Sequence, residues 1–262
     1  MKVLVTGANG QLGKTIEELY LNNDEGIEFV FTSKSRLDIT DVNSVQNIFK
    51  IKQFDYCINC AAYTDVEQAE KTPETAFNVN TEGVKNLAKA CKEFGTILIH
   101  ISTDYVFDGD KEGGYTINDI PNPINEYGKS KLQGEKYIQD ILECYFIIRT
   151  SWLYSKKYGR NFYTKILEKA ETETQINVTS NQIGCPTDTV NLARFIYRLI
   201  NSPLSKYGIY HFCDSKQMTW YDFAKVILVE NRKLFNINLV IDDEYLTFAK
   251  RPLNSVLQVT IN

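Results

Sequence analysis

No stretch of this chain is apolar for the roughly 18–20 consecutive residues that a bilayer-spanning helix requires, so an integral membrane protein is not expected. The start, Met1-Lys2-Val3-Leu4-Val5, lacks the apolar core and small-residue cleavage site of a secretory leader, which points to the cytoplasm. Lys and Arg form no stripe and the net charge of -4 is mild; nucleic acid is therefore not an expected partner. Internal repeats and low-complexity runs are also missing. The six cysteines, at 57, 60, 91, 144, 185 and 213, form no compact framework like that of small secreted domains, and read as reduced core thiols. Cys57-x-x-Cys60 has no second pair to complete a zinc site, and strand alternation puts its two sulfurs on opposite faces, so packing is preferred there over redox or metal chemistry.

What is present is the pattern of an α/β enzyme. With 262 residues, 43% of them hydrophobic and 24% charged, the chain can bury a substantial core. Short aliphatic runs at Lys2–Thr6, Ile27–Thr32, Asp55–Ala61, Thr96–Ser102 and Cys144–Thr150 read as strands. Between them lie helical patterns: Leu12, Ile16 and Leu19 on one inner face, and Val42, Val45, Ile48 and Phe49 on another behind an Asp41 cap. A third opens at Thr72-Pro73 and runs to Phe94, and a fourth spans Tyr127–Leu142. Strands alternating with helices predict a Rossmann-type doubly wound parallel sheet with right-handed crossovers. Residues 1–150 would form the dinucleotide-binding domain, completed by about 175–213, with 151–174 and 214–262 building a smaller C-terminal substrate-binding lobe. Later helices are expected at Asn161–Thr172, Asp188–Asn201 and Trp220–Phe235, the last behind a Thr219/Asp222 capping pair, and strands at Gln175–Thr179 and Gly208–Cys213. The stretch 103–126, rich in Gly and Pro, is too long to be only a connector and is a candidate functional loop.

Gly7-x-x-Gly10-x-x-Gly13 follows a strand and opens a helix, the setting in which glycines let backbone approach a pyrophosphate at a helix N-terminus. The second strand ends in Thr32-Ser33-Lys34-Ser35-Arg36, with no acid to take a ribose diol. Two cations and two hydroxyls suit a 2′-phosphate, so NADPH is expected, with NADH as the alternative. Tyr127 and Lys131, at i and i+4, share one helix face, where an ammonium group can draw down the high pKa of a phenol and hold a cofactor hydroxyl. Thr103, at the end of the fourth strand, supplies a hydroxyl for the substrate oxygen. Asn80 either supports that lysine through water or merely bends its helix. Trp152 is a stacking or packing aromatic, and His100 and His211 read as satisfied core histidines.

These motifs resemble the dTDP-4-dehydrorhamnose reductase family of extended short-chain dehydrogenase/reductases. The resemblance covers nearly the whole chain, in Gly7 to Gly13, Leu37-Asp38-Ile39-Thr40-Asp41, Asn59 to Thr64, Ser102 to Gly109, Tyr127 to Lys131, Arg149 to Tyr154, Gln182 to Thr187 and Arg251 to Ser255. It implies NADPH- or NADH-dependent reduction of the C4 ketone of dTDP-4-dehydro-L-rhamnose, with Tyr127, Lys131 and Thr103 catalytic. Gly7, Gly10, Gln11, Leu12, Gly13, Asp38, Ile39, Ala61, Ala62, Tyr63 and Ser102 would join Tyr127 and Lys131 in holding the cofactor. Thr64, Thr103, Asp104 and Trp152 would line the sugar-nucleotide site. Relatives usually continue past Arg251-Pro252 through a final helix that this sequence does not contain, and many carry Asp where Asn181 and Gln258 stand here. Some relatives dimerise around a carboxylate-held metal; no residues here match those ligands, so no metal is expected and a homodimer stays open. Two alternatives remain at this point: a reductase of another nucleotide-linked 4-keto-6-deoxy sugar, such as a UDP form, or a non-catalytic regulatory subunit of methionine adenosyltransferase.

Overall fold

The structure is a computed structural model that describes residues 1–22, 26–202, 206–214, 216–244 and 246–260. Six parallel strands form the central sheet: β1 (Lys2–Thr6), β2 (Glu28–Thr32), β3 (Tyr56–Asn59), β4 (Ile97–Thr103), β5 (Tyr145–Thr150) and β6 (Gly208–His211). Their order is β6-β5-β4-β3-β1-β2. The chain leaves β1 toward one edge and returns to β3 on its other side, so the reversal point lies at the carboxyl ends of β1 and β3, where open α/β sheets bind their ligands.

Both faces of the sheet are covered, as a parallel sheet of near-continuous aliphatic strands demands. Val3, Val5, Ile58 and Ile148 pack on one face with Leu12 and Ile16 of α1 (Gln11–Tyr20), while Leu4, Cys57, Leu98 and Ile147 pack on the other with Val45 and Phe49 of α2 (Val42–Lys52). Cys57 and Cys60 therefore do face opposite sides. All six cysteines are free thiols, but Cys144 is exposed, so the expectation of core thiols fails for it; Cys60, partly covered, packs against the first cluster. Leu19 and Val42, expected to face inward, are 37% and 47% exposed, because each lies at the margin of its helix's buried stripe.

The expected helix from Thr72 to Phe94 is several pieces. A short α3 (Val66–Lys71), capped by Asp65, precedes it; α4 (Pro73–Phe77) follows and passes through a π-helical turn at Asn78–Gly83 into α5 (Val84–Phe94). Thr72 is the N-cap residue by position, yet its hydroxyl donates back to the Gln68 carbonyl and caps nothing. Beyond lie α6 (Glu126–Ile141), α7 (Phe162–Thr172), α8 (Thr189–Asn201) and α9 (Trp220–Glu230). Helix α8 packs with α1 on the first face through Leu192 and Ile196, and α6 lies with α5 on the second. Capping boxes start α7 (Asn161 with Thr164) and α9 (Thr219 with Asp222). Helix α9 ends at Glu230, short of Phe235.

Of the segment 175–213, Gly208–His211 joins the central sheet, whereas Gln175–Val178 pairs with a further strand, Asn238–Ile241. That pair, α7 and α9 bury Ile166, Ile176, Phe223 and Ile227 in a separate cluster beside the strand ends. No helix among the described residues is long and apolar enough to cross a membrane.

Candidate active site

At the carboxyl ends of β1, β3 and β4 lies a cavity of about 430 Å³. Its floor is the glycine loop. Gly7 has φ of 64°, and a β-carbon there would sit 2.6 Å from the Ala61 nitrogen, so only glycine lets the β1 turn lie against the segment after β3. Gly10 is the N-cap of α1, which has no acidic residue in its first turn, and Gly10, Gln11, Leu12 and Gly13 line the cavity. The first N–H groups of α1 thus present a field that suits an anionic diphosphate. The Gln11 side chain points elsewhere: its amide donates to the Leu153 carbonyl (3.0 Å) and accepts from Asn161 (3.1 Å), tying the loop to α7.

Helix α6 supplies the other wall. Asn125 caps it by accepting from the Gly128 N–H at 2.8 Å, and a β-carbon on Gly128 would lie 2.1 Å from the Tyr105 carbonyl. That close approach seats Tyr127 in the cavity wall with Thr103. Burial, followed by the Asp104 and Tyr105 charges, holds the Tyr127 phenol well above its ordinary range, and only the Thr103 hydroxyl opposes this. The expected lowering by Lys131 is not observed, because the ammonium group is committed elsewhere: Lys131 Nζ donates to the Ile101 carbonyl at 2.6 Å and sits 3.4 Å from His100 Nε2. Tyr127 is therefore a fully protonated phenol at working pH, the form a proton donor needs. Burial draws Lys131 down to about 8, against the Glu135 and Cys60 charges that raise it.

Asp104, next to Thr103, is buried and accepts from Thr103 and Ser151, each at 3.0 Å; burial lifts its carboxyl to about 6. Ser102 also lines the cavity, but its hydroxyl donates to Glu135 on α6, one turn below Lys131. Glu135 in turn holds Arg149 of β5, with Nη2 to Oε2 at 2.7 Å and both side chains essentially without solvent contact.

Ala62, Thr64 and Trp152 complete the set of expected residues that meet in the cavity. Trp152 has an unusual positive φ of 47° and stacks on Trp220 with ring centres 3.5 Å apart and planes within 5°. Trp220, absent from the sequence-based assignment, is fixed by its N–H to Gln182 at 3.1 Å; its place directly after the Thr219 cap was the available signal. Arg251, also missed, lines the cavity and an adjoining one of about 570 Å³ that contains Lys165 and Lys169, and pairs with Glu67 at 2.8 Å.

Five expected residues do not line the cavity. Gly7 and Ala61 press on each other beneath it. Tyr63 is held from behind, its N–H and carbonyl bonded to the Asn80 side chain at 2.8 and 3.0 Å, so Asn80 clamps this segment. Asp38 turns its carboxylate to the Thr40 N–H (3.0 Å) and hydroxyl (2.8 Å), and Ile39 is buried against Gly83. Among the described residues no group of His, Cys, Asp and Glu is arranged to hold a metal ion.

The family model described as RmlD substrate binding domain matches residues 1–261. The dTDP-4-dehydrorhamnose reductase of Aggregatibacter actinomycetemcomitans is 39% identical, with 99% of this chain and 91% of that protein covered. The spore coat polysaccharide biosynthesis protein SpsK of Bacillus subtilis is 40% identical, over 98% of this chain and 88% of that protein. A solved dTDP-4-dehydrorhamnose reductase from Bacillus anthracis, in complex with NADP, superposes with a TM-score of 0.93 at 40% identity, covering 99% of this chain and 90% of that one. A glycine loop at the first strand, a phenol and a strand-end hydroxyl lining one cavity and a buried lysine one turn along the same helix thus coincide with relatedness over the whole length, and the chain belongs to the dTDP-4-dehydrorhamnose reductase family.

Proposed function

We propose that this protein reduces the C4 ketone of dTDP-4-dehydro-L-rhamnose to give dTDP-L-rhamnose, using NADPH, with NADH as a weaker donor. The observation that carries the reading is the convergence of the α1 N-terminus, the Tyr127–Thr103 pair and Lys131 on one cavity. The nicotinamide, when bound, supplies the hydride to the carbonyl carbon. Tyr127 gives its proton to the carbonyl oxygen, Thr103 orients that oxygen through its hydroxyl, and Lys131 supports the phenolate left behind. Gly7, Gly10, Gln11, Leu12 and Gly13 form the diphosphate cradle; Asp38 and Ile39 take the adenine end; Ala61, Ala62, Tyr63 and Ser102 take the middle. Ser33, Lys34, Ser35 and Arg36 receive the 2′-phosphate. Thr64, Asp104 and the braced Trp152 hold the sugar nucleotide.

In this reading 1–150 with α8 and β6 form the cofactor domain, and α7, α9 and the Gln175–Val178 pair form the sugar-nucleotide lobe. The protein works in the cytoplasm in this reading. Oxidation of NADPH in the presence of dTDP-4-dehydro-L-rhamnose, set against the UDP counterpart, tests the assignment. Turnover confined to the UDP sugar would reassign the substrate, and cofactor binding with no turnover of either would make the protein a regulatory subunit. Tyr127→Phe should lose on the order of 10²-fold or more in kcat with NADPH affinity kept; near-full activity would remove Tyr127 from the proton transfer.

A further inference from the structure

His100 and Asn59 lie side by side on β4 and β3, in register and with no solvent contact to speak of. The Asn59 amide can be oriented without ambiguity. Its Oδ1 accepts from the Ala61 backbone N–H at 3.1 Å and from the Thr6 hydroxyl at 2.7 Å. A backbone N–H only donates, so the oxygen must face Ala61 and the NH2 group must face His100 Nδ1, 3.0 Å away. An amide nitrogen also only donates, so Nδ1 is the acceptor in a neutral ring and the ring proton resides on Nε2. That Nε2–H is aimed at Lys131 Nζ, 3.4 Å distant.

An ammonium group at that position faces a donor with a donor. A neutral amine accepts from Nε2–H while one of its own hydrogens still bonds the Ile101 carbonyl at 2.6 Å. We propose that Asn59 and His100 are positioning residues that lock one histidine tautomer and thereby bias Lys131 toward release of its proton. The other groups facing Lys131 are Glu135 of α6, whose charge favours the ammonium form, and Cys60 after β3, whose thiol burial keeps neutral with a pKa pushed up to about 12. Burial, and after it the Lys131 charge, press the His100 pKa well below the usual histidine range, so the ring stays neutral across the working range. The inference rests on the proposed reduction for its consequence: Lys131 must be charged to support the Tyr127 phenolate, so the rate falls on the alkaline side as Lys131 loses its proton.

The chain has two histidines, so ring ¹⁵N resonances of the intact protein can be assigned with His100→Gln as the reference. Wild type should show a neutral His100 with its proton on Nε2. In His100→Gln, an amide oxygen that accepts from the ammonium group replaces the fixed donor. The Lys131 titration, read from its ¹³Cε shift, and the alkaline limb of kcat/KM should both move upward by about one pH unit. A proton on Nδ1 in wild type, or a Lys131 titration unchanged in the variant, overturns the proposal. Both nuclear readouts are independent of turnover, so a protein that reduces no nucleotide sugar would refute the functional reading and leave this test intact.

Discussion

The Glu135–Arg149 pair gives the sharpest quantitative test of how the site is supported. Both side chains are buried, at 0% and 2% exposure, and three Arg–carboxylate contacts of 2.7 to 3.2 Å join them while Ser102 donates to the same carboxylate. Glu135→Gln leaves a guanidinium in the interior without a counter-charge. Stranding one member of a buried pair costs about 3–5 kcal/mol. At roughly 2–4 °C per kcal/mol for chains of this size, the melting temperature should fall by about 6–20 °C. Arg149→Met should cost a similar amount, since it strands the carboxylate instead. The double variant Glu135→Leu/Arg149→Met removes both charges. It loses the Ser102 acceptor, about 1–3 kcal/mol, and keeps apolar contact with the Phe107 ring over which Arg149 now lies at 5.2 Å. It should therefore be more stable than either single variant. Thermal melts of the four proteins followed by circular dichroism close the cycle. Single losses below about 1 kcal/mol, or a double loss equal to the sum of the singles, would refute the argument that the pair acts as one unit. Glu135→Gln has a second signature: the Glu135 charge raises the Lys131 pKa, so its removal should bring the alkaline limb of the rate profile down.

Asp104 binds its proton more tightly in the fold, at about 6, than at its ordinary 3.8, so its contribution to stability is full below the lower value and is lost as pH rises through the higher. Asp104→Asn should flatten that decline and gain up to about 3 kcal/mol at pH ~7; melting curves with the same pH dependence in both proteins would contradict this. A β-carbon on Gly134 would lie 2.3 Å from the Asn80 carbonyl, so Gly134→Ala should cost about 1–3 kcal/mol and, by shifting the Asn80 clamp on Tyr63, raise the KM for NADPH. Its disproof is a variant with unchanged melting temperature and KM. Arg36→Ala should raise the KM for NADPH by about tenfold, one charge-assisted contact, and leave that for NADH alone; equal loss for both cofactors would remove Arg36 from 2′-phosphate recognition.

What the sequence makes legible here is what local pattern decides. Alternating strands and helices, the Gly7–Gly13 turn, the Asp41 cap and the Thr219/Asp222 box each depend on residues a few positions apart, and each is found as expected. The π-helical turn at Asn78–Gly83 is different, since its Asn80 bonds residues outside the helix, Tyr63 and Ser130, that no local pattern brings together. The positive φ of Trp152 and its stack on Trp220 likewise depend on two segments distant in sequence. The support behind the site was visible only as an anomaly: Asn59, His100, Arg149 and His211 are polar residues in strands that otherwise read as aliphatic. Register explains them together. Thr6, Asn59 and His100 are neighbours across β1, β3 and β4, and Ser102, Arg149 and His211 are neighbours across β4, β5 and β6, two positions further along β4. Residues two apart on a strand share a face, so both rows open toward α6, where Lys131 meets the first and Glu135 the second. A pair four apart on a helix is thereby matched to polar rows two apart on a strand. That correspondence gives Lys131 a donor that favours its neutral form from one row, while the charge held by the other row favours its cation, and the balance between the two rows sets how readily Lys131 gives up its proton.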